Sequence, residues 1–93
     1  MMTQDMAETR ALGILAWLLG QEDLVPVFLG ATGVTESDLR SRAADPVFLA
    51  SVVDFLMLDD AWVIACAEAQ GWPPSDVMAV RAGLPGGAEP EWT

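Results

Sequence analysis

The dipeptide Phe-Leu occurs three times in this chain, at Phe28-Leu29, Phe48-Leu49 and Phe55-Leu56. The last two copies are seven residues apart, which is two turns of an α-helix. Large apolar side chains at this spacing are typical of a helix that packs one face into a core, so all three pairs are predicted core anchors. No segment shows the sustained alternation of a strand. The pattern therefore predicts an all-α protein.

A chain of 93 residues is long enough for one small domain with one core. We expect a compact bundle of five or six short helices, in orthogonal or antiparallel packing, over residues 1–84. Residues 85–93 are predicted to be a loose acidic tail, because Pro85, Gly86 and Gly87 cannot continue a helix. Apolar residues make up 53% of the chain, which is high for a small soluble protein. Some apolar surface is therefore expected to meet a partner.

Capping and turn residues place six helices along the chain. The predicted start and end points are, in order, Asp5 to about Gly20, Asp23 to Gly33, Thr35 to about Ala44, Asp45-Pro46 to about Met57, Asp59-Asp60 to Gly71, and Pro73-Pro74 to about Leu84.

Helical periodicity also predicts which residues face the core. In the fourth helix these are Phe48, Leu49, Val52, Val53, Phe55 and Leu56, and the helix is expected to be the centre of the core. Its back face is only half polar and is expected to be covered as well, through Val47, Ala50, Ser51, Asp54, Met57 and Leu58. The first helix should bury Ala7, Ala11, Ile14, Leu15, Leu18 and Leu19, and the fifth Trp62, Ala65, Cys66 and Ala69.

The net charge is −10, from fourteen carboxylates and four arginines. Nucleic acid and anionic lipid surfaces are therefore disfavoured as partners. Two of the arginines are expected to pair within the third helix, as Glu36–Arg40 and Asp38–Arg42. No apolar run is long enough to span a membrane. The first residues lack the positive flank of a secretory signal and Cys66 is the single cysteine, so we expect a cytoplasmic location.

The chain contains no histidine, lysine or tyrosine, which removes the usual general bases and most zinc ligand sets. We therefore expect that the protein is not an enzyme and that it has no catalytic, cofactor-binding or metal-ligating residue. Cys66 is interpreted as a buried apolar residue rather than a reactive thiol, because no histidine is present to lower its pKa. The pairs Glu22-Asp23 and Asp59-Asp60 are interpreted as helix caps rather than cation ligands.

The stretch from Ala31 to Arg40 is typical of a helix-turn-helix, with Gly33 in the turn and Thr35 as the cap of the second helix. Glu36, Asp38 and the negative net charge weigh against DNA binding. Ordinary packing of two helices is the preferred interpretation, and a DNA-binding regulator is the alternative.

A stripe of small residues on the first helix would allow a second helix to approach closely, from the same chain or from a twin subunit. It consists of Thr9, Gly13, Ala16 and Gly20. Trp17 and the back face of the fourth helix are the predicted places for a subunit contact.

Several of these positions together resemble a known family. They are Phe28-Leu29, Thr32-Gly33-Val34, Asp38-Leu39-Arg40, Asp45-Pro46, Phe48-Leu49, Asp54-Phe55-Leu56 and Asp59-Asp60, with Ala16-Trp17-Leu18 and Leu84-Pro85-Gly86-Gly87. The chain resembles the DUF3572 family of short bacterial proteins, a domain of unknown function, from about Ala7 to Leu84. The resemblance implies a compact helical protein and offers no catalytic residues. We expect an interaction or accessory module that binds a protein partner or forms a homodimer; a small-molecule ligand stays open.

Overall fold

The computed structural model describes residues 2–86. It contains six helices, α1 (Gln4–Leu19), α2 (Val25–Thr32), α3 (Glu36–Arg42), α4 (Pro46–Leu56), α5 (Asp60–Gln70) and α6 (Ser75–Ala82), and no strand within those residues. The predicted all-α fold of five or six helices is confirmed. No helix in this part of the chain is long and apolar enough to cross a membrane. Of the predicted tail, residues 87–93 lie outside the described residues.

Three predicted caps form as the sequence indicates. The side chains of Thr35, Asp45 and Asp59 accept hydrogen bonds from first-turn amides of α3, α4 and α5, at 3.3, 2.9 and 2.8 Å. Each bond satisfies an amide that has no partner inside its helix. These helix starts are therefore fixed by local sequence.

The predicted cap of α1 is wrong by two residues. The Thr3 hydroxyl accepts from the amide of Met6 at 3.2 Å, and Asp5 lies inside the first turn. A carboxylate still favours that position because the amino end of a helix carries partial positive charge. The helix consequently begins at Gln4 rather than after Asp5.

The predicted cap of α2 is also wrong, since neither Glu22 nor Asp23 caps the helix. The amides of Leu24 and Val25 both donate to the carbonyl of Gln21. Leu24 occupies the cap position without a side-chain hydrogen bond, in helical backbone geometry. The chain thus enters α2 through a hydrogen-bonded turn that already uses the amides a cap would bind.

Glycines end α2 and α5 as predicted. Gly33 and Gly71 have φ values of 73° and 79°, in the left-handed region that side chains disfavour. α6 ends at Ala82, two residues before the predicted end. Leu84 is nevertheless buried. The predicted domain boundary after residue 84 stays a prediction.

α4 packs against α1, α2 and α6, and all six residues of its predicted inner face are buried. The ring centroid of Phe28, from α2, lies 5.2 Å from that of Phe55, in an edge-to-face arrangement, and 6.4 Å from that of Phe48. Such tilted pairs add to the stabilisation from apolar burial. Leu29 is partly buried against the same core. The three Phe-Leu pairs therefore meet, and their interpretation as core anchors is confirmed.

The predicted inner faces of α1 and α5 contain errors. Leu19 is 42% exposed, and Ala65 and Ala69 are exposed, whereas Ala67 is fully buried. The other five predicted residues of α1 are buried, as is Cys66, and Trp62 is half-buried. α5 contains alanine at positions 61, 65, 67 and 69, and small side chains give a helix little directional preference for burial.

The ion pairs predicted within α3 do not form. The ion pairs of residues 2–86 instead join α6 to its neighbours, Arg10 to Asp76 at 3.0 Å and Arg81 to Asp54 at 2.6 Å. Exposed pairs within one helix gain only a few tenths of a kcal/mol, which the loss of side-chain freedom can offset. Among residues 2–86, the two arginines of α3 therefore have no carboxylate partner.

Candidate interaction surface

The carboxylates of residues 2–86 and the Cys66 thiol do not form one cluster. Within the described residues, no three His, Cys, Asp or Glu side chains lie close enough to hold a metal ion. Asp59 is engaged as the cap of α5, while Asp60 is exposed in its first turn. Glu22 and Asp23 are both exposed before α2. The capping interpretation is thus confirmed for Asp59 and wrong for Glu22-Asp23.

Cys66 is fully buried on the inner face of α5. Burial raises the pKa of its thiol from 9.0 to about 11, and a hydrogen bond with the side chain of Gln70 lowers it by less. Nucleophilic attack requires the thiolate, which is scarce near neutral pH at such a pKa. The interpretation as a buried residue agrees with this environment.

The stripe of small residues on α1 is partly covered by the chain itself. The side-chain amide of Gln70 donates to the carbonyl of Gly13 at 2.9 Å. A Cβ built on Gly13 would lie 3.3 Å from Gln70 Oε1. The close approach is therefore made by α5 of the same chain at this position. Trp17, the predicted subunit contact, is partly buried against the core.

The predicted helix-turn-helix corresponds to α2, the Gly33 turn and α3. α3 has seven residues, of which Leu39 is the one that is buried. Arg40 and Arg42 are exposed in its last turn, and Glu36 and Asp38 are in its first. The local geometry is that of two helices joined by a tight turn, and the second helix is short and mixed in charge.

Within residues 2–86, the chain itself does not cover the back face of α4, apart from Ala50, which is buried, and Ser51, which is partly buried. Val47 is 64% exposed and Leu58 is 75% exposed. They border a groove of about 420 Å³, the α4 groove, whose lining also includes Thr32, Arg42, Asp45 and Asp54. Asp54 accepts the hydrogen bond from Arg81 described above. The α4 groove is therefore apolar at its floor and rich in charge at its edges.

A second groove, the α5–α6 groove, lies between the amino-terminal halves of α5 and α6. It encloses about 330 Å³, and its lining includes Met57, Asp60, Val63, Ile64, Val77 and Met78. Val77 at its floor is fully buried, whereas Ile64 and Met78 are 54% and 63% exposed. Asp60 is the one charged residue of the lining.

Sequence reasoning did not find the α5–α6 groove. Met78 occupies an exposed position of α6 beside Ser75, and Ile64 occupies an exposed position of α5 beside Asp60. Large apolar residues on the solvent side of an amphipathic helix were the available signal. The sequence does not say that these two helix faces border the same groove.

The fold and its grooves define a small all-helical protein with exposed apolar clefts. This chain belongs to the family described as "Protein of unknown function (DUF3572)", which matches residues 4–87. The resemblance seen in the sequence is thereby confirmed. Comparison with curated proteins and with solved structures gave no significant match.

Proposed function

We propose that the protein is an interaction module that binds another protein through the α5–α6 groove. The supporting observation is that Ile64 and Met78, from two different helices, expose 54% and 63% of their surface along one groove with a buried floor. Grouped apolar side chains on a small protein cost free energy in water and mark surfaces that a partner covers.

The α5–α6 groove is favoured over the α4 groove by its lining. The α4 groove contains three charged side chains, Arg42, Asp45 and Asp54. A partner would have to desolvate these groups on binding, which is unfavourable unless each finds a matched opposite charge. The lining of the α5–α6 groove contains one, at Asp60. A partner that binds the α5–α6 groove therefore desolvates fewer charged groups than one that binds the α4 groove.

A role without catalysis, in the cytoplasm, belongs to the same proposal. The sequence has no histidine, lysine or tyrosine, and the Cys66 thiol is buried with a raised pKa. A single unpaired cysteine fits a reducing compartment.

A photo-crosslinking amino acid at position 78 tests the interaction in cells that produce the protein. We expect a discrete covalent adduct with one protein, which disappears when Ile64→Asp is added. The same probe at Val27 is the control, because Val27 is 49% exposed on α2 and lines neither groove. Equal adducts from both positions, or none from position 78, would refute the proposal.

DNA binding through α2 and α3 is the second candidate. It is favoured by the two exposed arginines of α3, Arg40 and Arg42, and opposed by the net charge of −10. A mobility shift with duplex DNA at low salt, lost in the double variant Arg40→Gln, Arg42→Gln, would support it. If the protein does not shift the duplex under these conditions, DNA binding is excluded.

A further inference from the structure

We infer that the occupant of the α5–α6 groove is a basic amphipathic helix of another protein. This inference rests on the proposed function and names the chemistry of its partner.

The charges beside the groove are negative. Asp60, Ile64 and Glu68 follow one another at intervals of four residues on α5, so they lie along one side of that helix. All three are exposed. An exposed apolar side chain thus stands between two carboxylates, one helical turn away in each direction.

Within the part of the chain that the structure describes, neither Asp60 nor Glu68 forms an ion pair. Arg10 and Arg81 are held by Asp76 and Asp54. The arginines of α3 line other grooves, and no arginine lines the α5–α6 groove. A partner that brings lysine or arginine would meet unpaired carboxylates, and this complementarity would select it and speed its association.

A second copy of the chain fits this surface poorly. A two-fold interface brings the same patch of both copies together. Asp60 and Glu68 of each copy would then border one contact, between two molecules that each carry a charge of −10. Like charges beside a contact oppose association.

The apolar lining suits the side chains of a helix. Met57 and Met78 border the groove, and methionine adapts its shape to different apolar partners through three rotatable bonds. A helix presents apolar residues at intervals of three and four, which enter a groove between two helices as a row of anchors. The α5–α6 groove, at about 330 Å³, has room for only a few such side chains.

A synthetic peptide of about 18 residues tests the inference, with leucine at i, i+3, i+4 and i+7 and lysine on its other face. Methyl NMR of the methionines gives the readout. We expect the methyl signals of Met57 and Met78 to shift on titration. Met6 is the internal control because it is 48% exposed on α1, outside this groove, and should not shift.

Two charge variants separate local complementarity from overall charge. Asp60→Asn with Glu68→Gln should weaken peptide binding by about fivefold and reduce its salt dependence. Glu36→Gln with Asp38→Asn removes the same charge from α3 and should change binding by less than about twofold. Equal effects of the two double variants would overturn the inference.

Control peptides complete the test. A peptide of the same composition with its leucines scattered, and one with glutamate in place of lysine, should not shift the Met57 and Met78 signals. Binding by either would overturn the inference. Shifts of these signals on dilution without peptide would assign the groove to a second copy. A crosslink at position 78 without peptide binding would refute the inference and leave the proposed function standing.

Discussion

Gly83 follows α6 at a point where the chain passes close to α1. A Cβ built on Gly83 would lie 2.8 Å from the Cβ of Ala7. Non-bonded carbon atoms rest at about 3.5–4.0 Å. Ala7 is fully buried and its Cβ is fixed to the backbone, so it cannot rotate away. Gly83→Ala must therefore move the end of α6 away from α1.

We expect Gly83→Ala to lower the free energy of unfolding by about 1–3 kcal/mol, the usual range for an overpacked site. Gly30→Ala is the matched control, because Gly30 lies within α2 and a Cβ built there meets no atom within 4 Å apart from its chain neighbours and the backbone of its own helix. It should raise the free energy of unfolding by about 0.5–1 kcal/mol, since alanine favours the helix and restricts the unfolded chain. The same chemical change thus has opposite predicted signs at the two sites.

Ala7→Gly removes the atom that the new methyl group would strike. In a double-mutant cycle we expect the variant carrying both Ala7→Gly and Gly83→Ala to be more stable than the sum of the single changes by about 1–3 kcal/mol. Urea unfolding followed by circular dichroism measures all the variants. Additivity within about 0.5 kcal/mol would refute the steric argument.

Three further predictions concern pH, a turn and an ion pair. Because the pKa of Cys66 is raised from 9.0 to about 11, its neutral thiol stabilises the fold below pH 9, and this stabilisation should be lost as the pH rises through 11. The chain has no lysine or tyrosine that would titrate between pH 9 and 11. Cys66→Ala should therefore abolish the fall of the melting temperature over this pH range, and an unchanged fall would contradict its attribution to Cys66. Gly33→Ala should cost about 1–2 kcal/mol, because φ is 73°; a melting temperature equal to that of the unaltered protein would disprove this. Arg10→Ala should cost about 1–2 kcal/mol, since Arg10 binds Asp76 at 3.0 Å and lies 4.8 Å from the Trp72 ring centroid; a loss below about 0.3 kcal/mol in urea unfolding would show that these contacts contribute little.

Local signals account for the parts of the fold that sequence reasoning predicted. Thr35, Asp45 and Asp59 cap their helices through bonds to amides two or three residues away. Gly33 and Gly71 end helices through their own backbone conformation. These interactions involve neighbours in the chain and are therefore readable before the tertiary structure is known. Asp23 is an exception, because a backbone turn used the amides first.

Burial was predictable where large side chains dominate a face. The inner face of α4 was identified because phenylalanine, leucine and valine gain much more from burial than the residues opposite them. On α5, burial of Ala65 and burial of Ala67 would contribute similar, small free energies to folding. The packing of α5 against α1 and α6 decided which of the two is buried.

The candidate site, like the fold, was predictable from the sequence only in part. Composition predicted an apolar surface but not its location, and the small-residue stripe and the back of α4 were the places that sequence reasoning proposed. The tertiary structure placed Gln70 over Gly13 and brought Ile64 and Met78 to one groove. Sequence alone determined the helices, since hydrogen bonding and helical periodicity are properties of contiguous residues. Only the packing of distant helices decided which exposed apolar residues share a surface.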